Sequence, residues 1–213
     1  MIIPINKPAG ITSHTVVNKL RRFYGIKKIG HAGTLDPFAT GVLILLVGRD
    51  STKRSQELMK QNKIYRTKLK LGYISDTYDK EGIIQEYNIQ KIPTRVEIDQ
   101  IVASFVGEIS QIPPMYSAIK INGRKMYELA RKGEHIDIPA RNVTITSIDI
   151  LEYTYPYLTL DISCSSGTYI RSLGYDIGIK LGTGAYLTQL ERRKSGEYSI
   201  DNCYNLDTLP DLI

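Results

Sequence analysis

Three observations predict a mixed α+β fold, with a mixed, mainly antiparallel sheet flanked by helices. Apolar and polar residues alternate across 63–73, 142–153 and 157–165, the period of half-buried strands. The run "GVLILLVG" at 41–48 is apolar throughout and bounded by glycines, as a strand buried on both faces would be. Segments of helical period with explicit start and stop residues lie between these strands. Strands dominate the reading and helices are interspersed among them, the pattern of an α+β sheet.

The elements follow in order. "IIPIN" (2–6) is a short strand. "TSHTVVNKLRRFYG" (12–25) reads as a helix with Thr12 or Ser13 as N-cap and Gly25 as its stop. Val16, Val17, Leu20 and Phe23 or Tyr24 form its apolar stripe. "DSTKRSQELMK" (50–60) is expected to be a helix, and 63–73 a strand in which Leu69 and Leu71 alternate with Lys68 and Lys70. "TRVEIDQIVASFVG" (94–107) carries the capping-box pair Thr94 and Glu97 and runs to Gly107. From 111 the texture changes to Lys, Arg, Tyr and turn residues, with an Asn122-Gly123 turn and a short helix at 124–133. That stretch reads as an excursion from the core. Two strands follow, then helices beginning near 167 and 185.

Composition narrows the function classes. With 42% hydrophobic and 23% charged residues, the chain is globular in character. The two cysteines, Cys164 and Cys203, are too few for a disulfide framework, so a reducing, cytoplasmic setting is expected. His14, His31 and His135 are scattered without metal-ligand spacing, and no cofactor is expected. "MIIPINKPAG" is interrupted too early for a signal peptide, and no apolar run reaches the length of a membrane span. The net charge of +6 permits a nucleic-acid partner, and its clustering matters more than its size.

One carboxylate stands out. Asp36 sits in "GHAGTLDP", beside the most hydrophobic strand of the chain. Pro37 biases it away from helical geometry, and Gly30 and Gly33 allow close backbone approach. Turn chemistry alone accounts for such an aspartate. The loop lacks the Gly-Lys-Ser/Thr of a P-loop. On local grounds the turn reading is the stronger one.

The whole string alters that balance. His31, Gly33, Leu35, Asp36, Pro37, Gly41 and Val42-Leu43 occur in an order that resembles the signature of the TruB family of pseudouridine synthases. "KPAGITS" (7–13), "KIYRTKLKLGYISDTYDKEG" (63–82), "QIPPMYSAIKINGRKMYELAR" (111–131) and "CSSGTYIRSLGYDIGIKLGTGAYLTQLERRKSG" (164–196) resemble the family's other blocks, in order. The resemblance implies a pseudouridine-synthase catalytic domain over 1–198, with a thumb-like insertion at 111–141. A short tail at 199–213 would follow, without the full PUA domain that many members carry. The family usually shows Thr-Asp-Thr where this chain has Ser75-Asp76-Thr77, which keeps the hydroxyl.

The implied activity is isomerisation of a T-loop uridine of tRNA, position 55, to pseudouridine. Its N-glycosidic bond breaks, the uracil rotates, and it rejoins through carbon. One carboxylate can serve, as nucleophile toward sugar or base or as a base at the ribose. By the same resemblance Asp36 is the essential aspartate, Arg171 its pairing arginine, and Tyr65 stacks on the target base. Tyr169 and Leu190 pack around that base, and His31 meets the region left by the displaced nucleotide. Taken alone, Tyr65 would be sheet packing, Leu190 helix core and Arg171 an exposed helix residue.

Three basic clusters suit an RNA partner: Lys19, Arg21, Arg22, Lys27 and Lys28; Lys120, Arg124, Lys125, Arg131 and Lys132; and Arg192, Arg193 and Lys194. Each alone reads as a solvated face, whereas together they could track phosphates of a T-arm stem-loop. "GVL" at 41–43 argues against guide-RNA-dependent relatives. A monomer without obligate protein partner or membrane association is the expectation. The competing class is a non-catalytic RNA-binding or tRNA-folding module on the same fold; an aspartate-dependent nucleoside hydrolase is a second rival.

Overall fold

A computed structural model describes residues 1–117, 120–121, 124–126 and 137–209. It contains two compact units. The first comprises Met1–Arg66, Asp161–Ser166 and Gln189–Ile213; the second comprises Thr67–Leu160 and Gly167–Thr188.

The first unit is organised around β3 (Thr40–Val47), whose residues from Gly41 to Val47 are all buried. Burial on both faces explains why this strand shows no alternation. β1 (Ile2–Lys7) runs antiparallel along it, from Ile2 opposite Leu46 to Lys7 opposite Gly41. β2 (Ile29–Ala32) pairs antiparallel with Ile44–Val47. α1 (Ser13–Tyr24) begins at Thr12, whose hydroxyl accepts the Thr15 N–H, and stops at Gly25 in the left-handed region, as expected. Val16, Val17 and Leu20 are buried, while Phe23 is exposed. Ala32, Val42, Ile44, Leu46 and Leu58 form one core cluster, against which Ile2, Tyr198, Ile200 and Cys203 pack. Tail residues also dock on β1: Asn6 N–H donates to Tyr204 O, and Tyr204 N–H donates to Pro4 O.

Two expectations are corrected here. The single helix over 50–60 is two short ones, α2 (Arg49–Lys53) and α3 (Ser55–Met59), divided at Arg54. The segment 185–196 is not a helix but a strand, β12 (Ala185–Ser195). Glu191 and Arg192 of β12 pair parallel with Thr40 and Gly41. Tyr186, Leu187 and Leu190 mimic a helical stripe in sequence. The period-two signal was hidden because Arg192, counted as wet, is buried.

The second unit contains the alternating segments. β4 (Lys63–Leu71) and β11 (Tyr157–Cys164) contribute residues to both units, as does β12. β10 (Arg141–Thr154) pairs antiparallel with β7 (Gly107–Gln111). β5 (Tyr73–Ser75) and β6 (Ile84–Glu86) form a small ribbon. α4 (Arg95–Ala103) has the complete capping box of Thr94 and Glu97. It ends at Ser104, before Gly107, whose positive φ leads into β7.

Register defines the root of the excursion: Gln111 pairs with Arg141, so 112–140 leave the β7–β10 ladder and return at one position. Within it, β8 (Lys120–Ile121) and β9 (Arg124–Lys125) pair antiparallel, replacing the expected helix start. Asn122-Gly123 and the remainder of that helix at 127–133 lie outside the described residues.

α5 (Ile170–Lys180) approaches its neighbours through glycine. A Cβ on Gly178 would fall 2.3 Å from Ala185 N and 2.4 Å from Ala185 Cβ. Alanine would gain about 1 kcal/mol in helix propensity. The clash involves main chain, so overpacking by about 1–3 kcal/mol wins. Gly178→Ala is therefore expected to lower unfolding stability, measured by urea denaturation, despite being the better helix former.

Candidate active site

The loop carrying Asp36 is fixed from both sides within the first unit. Before it, the buried Ser13 hydroxyl accepts the Leu35 N–H at 2.9 Å and lies 3.1 Å from Leu35 O, to which it donates. After it, Pro37 O accepts from Gly10 N–H at 2.9 Å and from the Lys7 ammonium at 3.1 Å. Lys7 is fully buried and also donates to Pro8 O and Ile11 O. Ala39 N–H returns to Asp36 O at 3.1 Å, so Asp36 opens a β-turn with proline in its second position. The turn reading is thus right for its main chain. "NKPAGITS" supplies most of these clamps. Sequence reasoning assigned no role to Lys7 and read Ser13 only as an alternative N-cap, although a lysine next to Pro-Ala-Gly was the available signal.

Tyr65, on β4, lies within electrostatic reach of Asp36 and interacts with the Arg192 guanidinium. Burial pushes its phenol above the usual range, against the lowering effect of Arg192, so Tyr65 is neutral at physiological pH. Leu190 is buried on β12, a strand residue rather than the helix-core residue its spacing suggested.

His31 is half-buried on β2. Its Nδ1 is buried without a hydrogen-bond partner among the described residues. Burial lowers its pKa, and Arg192 and His14 act in the same direction. A fold that binds a proton less tightly than the unfolded chain loses stability as pH falls below about 6.5. His31→Gln should therefore reduce the stability lost as pH falls below about 6.5, relative to the parent protein, in parallel denaturant titrations.

Arg171 and Tyr169 belong to the second unit. Arg171, the second residue of α5, is buried. It pairs with Asp79 Oδ2 at 3.3 Å and donates to Thr77 O at 3.1 Å and Tyr116 O at 2.8 Å. It is therefore not the exposed helix arginine of the plain reading. Asp79 Oδ1 accepts from Thr77 Oγ1 at 2.7 Å and from Glu81 N–H at 2.9 Å. Ser75 Oγ lies 3.1 Å from Thr77 Oγ1, so serine at this position does retain a hydroxyl contact. Asp79 is a residue the sequence reading missed, though "SDTYD" places it in a quoted block. Tyr169 is the N-cap residue of α5. The Gln111 side chain clamps its backbone, accepting its N–H at 2.8 Å and donating to its carbonyl at 3.0 Å. The Arg141 guanidinium lies 4.7 Å from its ring centroid.

The basic clusters divide. Lys19, Arg22, Lys27 and Lys28 are exposed, whereas Arg21 is engaged with Asn18 Oδ1 and Ile29 O. Arg193 bridges to Glu191 at 3.1 Å, and Lys194 is exposed. Arg192 is corrected outright: it is 2% exposed and its guanidinium is bound to main-chain carbonyls, so it is not a surface phosphate contact. Lys120, Arg124 and Lys125 are placed in β8 and β9 by backbone alone, and Arg131 and Lys132 lie outside the described residues. No group of three or more His, Cys, Asp or Glu among the described residues could hold a metal ion. No helix among them is long and apolar enough to cross a membrane.

Residues 21–170 match the family described as TruB family pseudouridylate synthase (N terminal domain). The chain belongs to this family. It is 50% identical over 209 residues to tRNA pseudouridine synthase B of Clostridium tetani, covering 98% of this chain and 72% of that protein. Against the protein of the same name from Protochlamydia amoebophila the identity is 48% over 205 residues, covering 96% and 77%. Among solved structures, a chain from the Cbf5-Nop10-Gar1 complex matches with a TM-score of 0.75 and 29% identity. That match covers 97% of this chain and 52% of the other, so this TruB-family chain spans about half its length. A pseudouridylate synthase structure with a TM-score of 0.51 and 16% identity shares the fold. The α+β class is that of pseudouridine synthases, and the chain is an enzyme of the isomerase class. Its identity to the two bacterial proteins exceeds that to the chain from the Cbf5 assembly.

Proposed function

We propose that this TruB-family chain isomerises the T-loop uridine at position 55 of tRNA to pseudouridine, with Asp36 as the essential carboxylate. The observation that carries the reading is the match along 98% of the chain to a protein named tRNA pseudouridine synthase B. The clamped Asp36 loop supports it, because a carboxylate that must meet a reacting carbon needs a fixed backbone. A base inside a folded T-loop is reached by flipping it out, at a cost of a few kcal/mol. Tyr65, a neutral phenol, is suited to stacking on the uracil, and Tyr169 and Leu190 to packing around it. His31, neutral at physiological pH, is suited to meeting the vacated space without adding charge. Arg171, buried and paired with Asp79, is the arginine this reading assigns to the reaction.

The partner is the T-arm stem-loop, met by exposed lysines and arginines along its phosphates. The enzyme acts as a monomer in the cytoplasm, without cofactor, guide RNA or obligate protein partner. A T-arm stem-loop carrying tritium at uracil C5 tests this. Isomerisation exchanges the N-glycosidic bond for a bond from the sugar to C5, and the C5 hydrogen is released. Tritium release with pseudouridine as the sole new nucleoside is expected. Binding without release would leave a non-catalytic module, and free uracil would mark a hydrolase.

A further inference from the structure

The geometry points to Arg192 as a positioning residue for the reaction, a guanidinium that staples both ends of the Asp36 loop. The chain leaves β2 at Ala32, passes Gly33 and Thr34, carries Asp36 through its turn and enters β3 at Thr40. Arg192 Nη2 donates to Gly33 O at 3.1 Å and Nη1 to Thr34 O at 3.3 Å. Its Nε donates to Val42 O at 2.7 Å, beyond the turn. One planar fork therefore spans the loop from entry to exit.

The backbone is shaped for this contact. Gly41 has φ +99°, and a Cβ there would lie 2.3 Å from Arg192 O. Gly33 has φ +95°, and its Cβ would sit 3.6 Å from Arg192 Nη1. Gly41 thus allows the loop to close on β12, while Gly33 supplies the positive φ of its entry.

Energetics favour a purpose beyond filling space. Removing a guanidinium from water costs several kcal/mol, and its carbonyl acceptors carry no formal charge. An apolar side chain of similar volume avoids that cost, and such replacements are often neutral or stabilising. What methionine cannot do is hold Gly33, Thr34 and Val42 in one plane. Lysine keeps the charge and loses the fork.

The proposal rests on the reaction assigned above, so its test combines activity with a readout independent of activity. Arg192→Met and Arg192→Lys are compared with the parent protein by hydrogen exchange at the Leu35 and Ala39 amides, and by kcat and KM on the T-arm stem-loop. The expected result is faster exchange confined to residues 33–42 in both variants. kcat should fall on the order of 10²-fold, the size of a roughly 1 Å misplacement, with KM changed less than about threefold. Arg192→Lys should not restore kcat, although it should return the His31 titration seen by NMR toward the parent, since what Arg192 adds to the effect of burial there is its charge.

Parental exchange at residues 33–42 in either variant would overturn the proposal, as would parental kcat in either. If Arg192→Met fails to fold, Arg192→Lys carries the same measurements. If the parent protein releases no tritium, the assigned reaction fails, while the exchange data still decide whether Arg192 fixes the loop.

Discussion

Asp36→Asn is expected to abolish tritium release from the C5-labelled stem-loop while leaving affinity for the RNA within a few-fold of the parent. Asparagine keeps the size and the main-chain turn, including the bond from Ala39 N–H to the residue 36 carbonyl. The clamps on Leu35 and Pro37 come from other residues and are unaffected. What disappears is the negative charge, and with it the ability to act as nucleophile or base. Loss of general-base action alone costs typically about 10²–10⁴-fold, and loss of a covalent step adds to it. The main-chain geometry of the loop therefore survives the substitution. Undiminished turnover would remove Asp36 from the mechanism. A tenfold or greater loss of affinity with normal single-turnover rates would make it a binding residue.

This separation of main chain from side chain explains what could be read from sequence. "GHAGTLDP" taken alone favoured a turn aspartate, and its backbone is a turn. The role of its carboxylate depended on four other blocks, because chemistry needs partners distant in sequence. Elements with a local signature were legible for the same reason: Thr12 and Gly25 delimit α1, and Thr94 with Glu97 caps α4. β12 was not legible. Its inward positions include a charged residue, and hydrophobic periodicity counts every arginine as outward. Arg192, misread as a phosphate contact, and Asp79, unassigned, share one cause. A buried charge is visible only once its acceptors and donors, drawn from other strands and loops, are assembled.

Asp79→Asn should have the largest effect on stability of any single polar substitution considered. Asp79 and Arg171 form an ion pair in which both side chains are only 4% exposed. Removing one partner of such a pair costs about 3–5 kcal/mol, because the remaining charge stays in a poorly solvated site. For a chain of this size that corresponds to a thermal midpoint lower by on the order of 10 °C. Asparagine can still accept from Thr77 Oγ1 and Glu81 N–H, so the loop keeps its neutral hydrogen bonds and loses the charge. The comparison is with Asp50→Asn, which removes a partner from Lys53 in a pair whose side chains are 68% and 97% exposed. Solvent screens that pair, and a change within about 0.5 kcal/mol is expected. Chemical denaturation of both variants checks the contrast. Turnover adds a second axis: if Arg171 serves the reaction, Asp79→Asn lowers kcat at temperatures where the variant remains folded, whereas Asp50→Asn leaves it unchanged. Equal stabilities for the two variants would show that the Asp79 carboxylate is not held as a buried ion, and normal kcat in Asp79→Asn would confine its role to the fold.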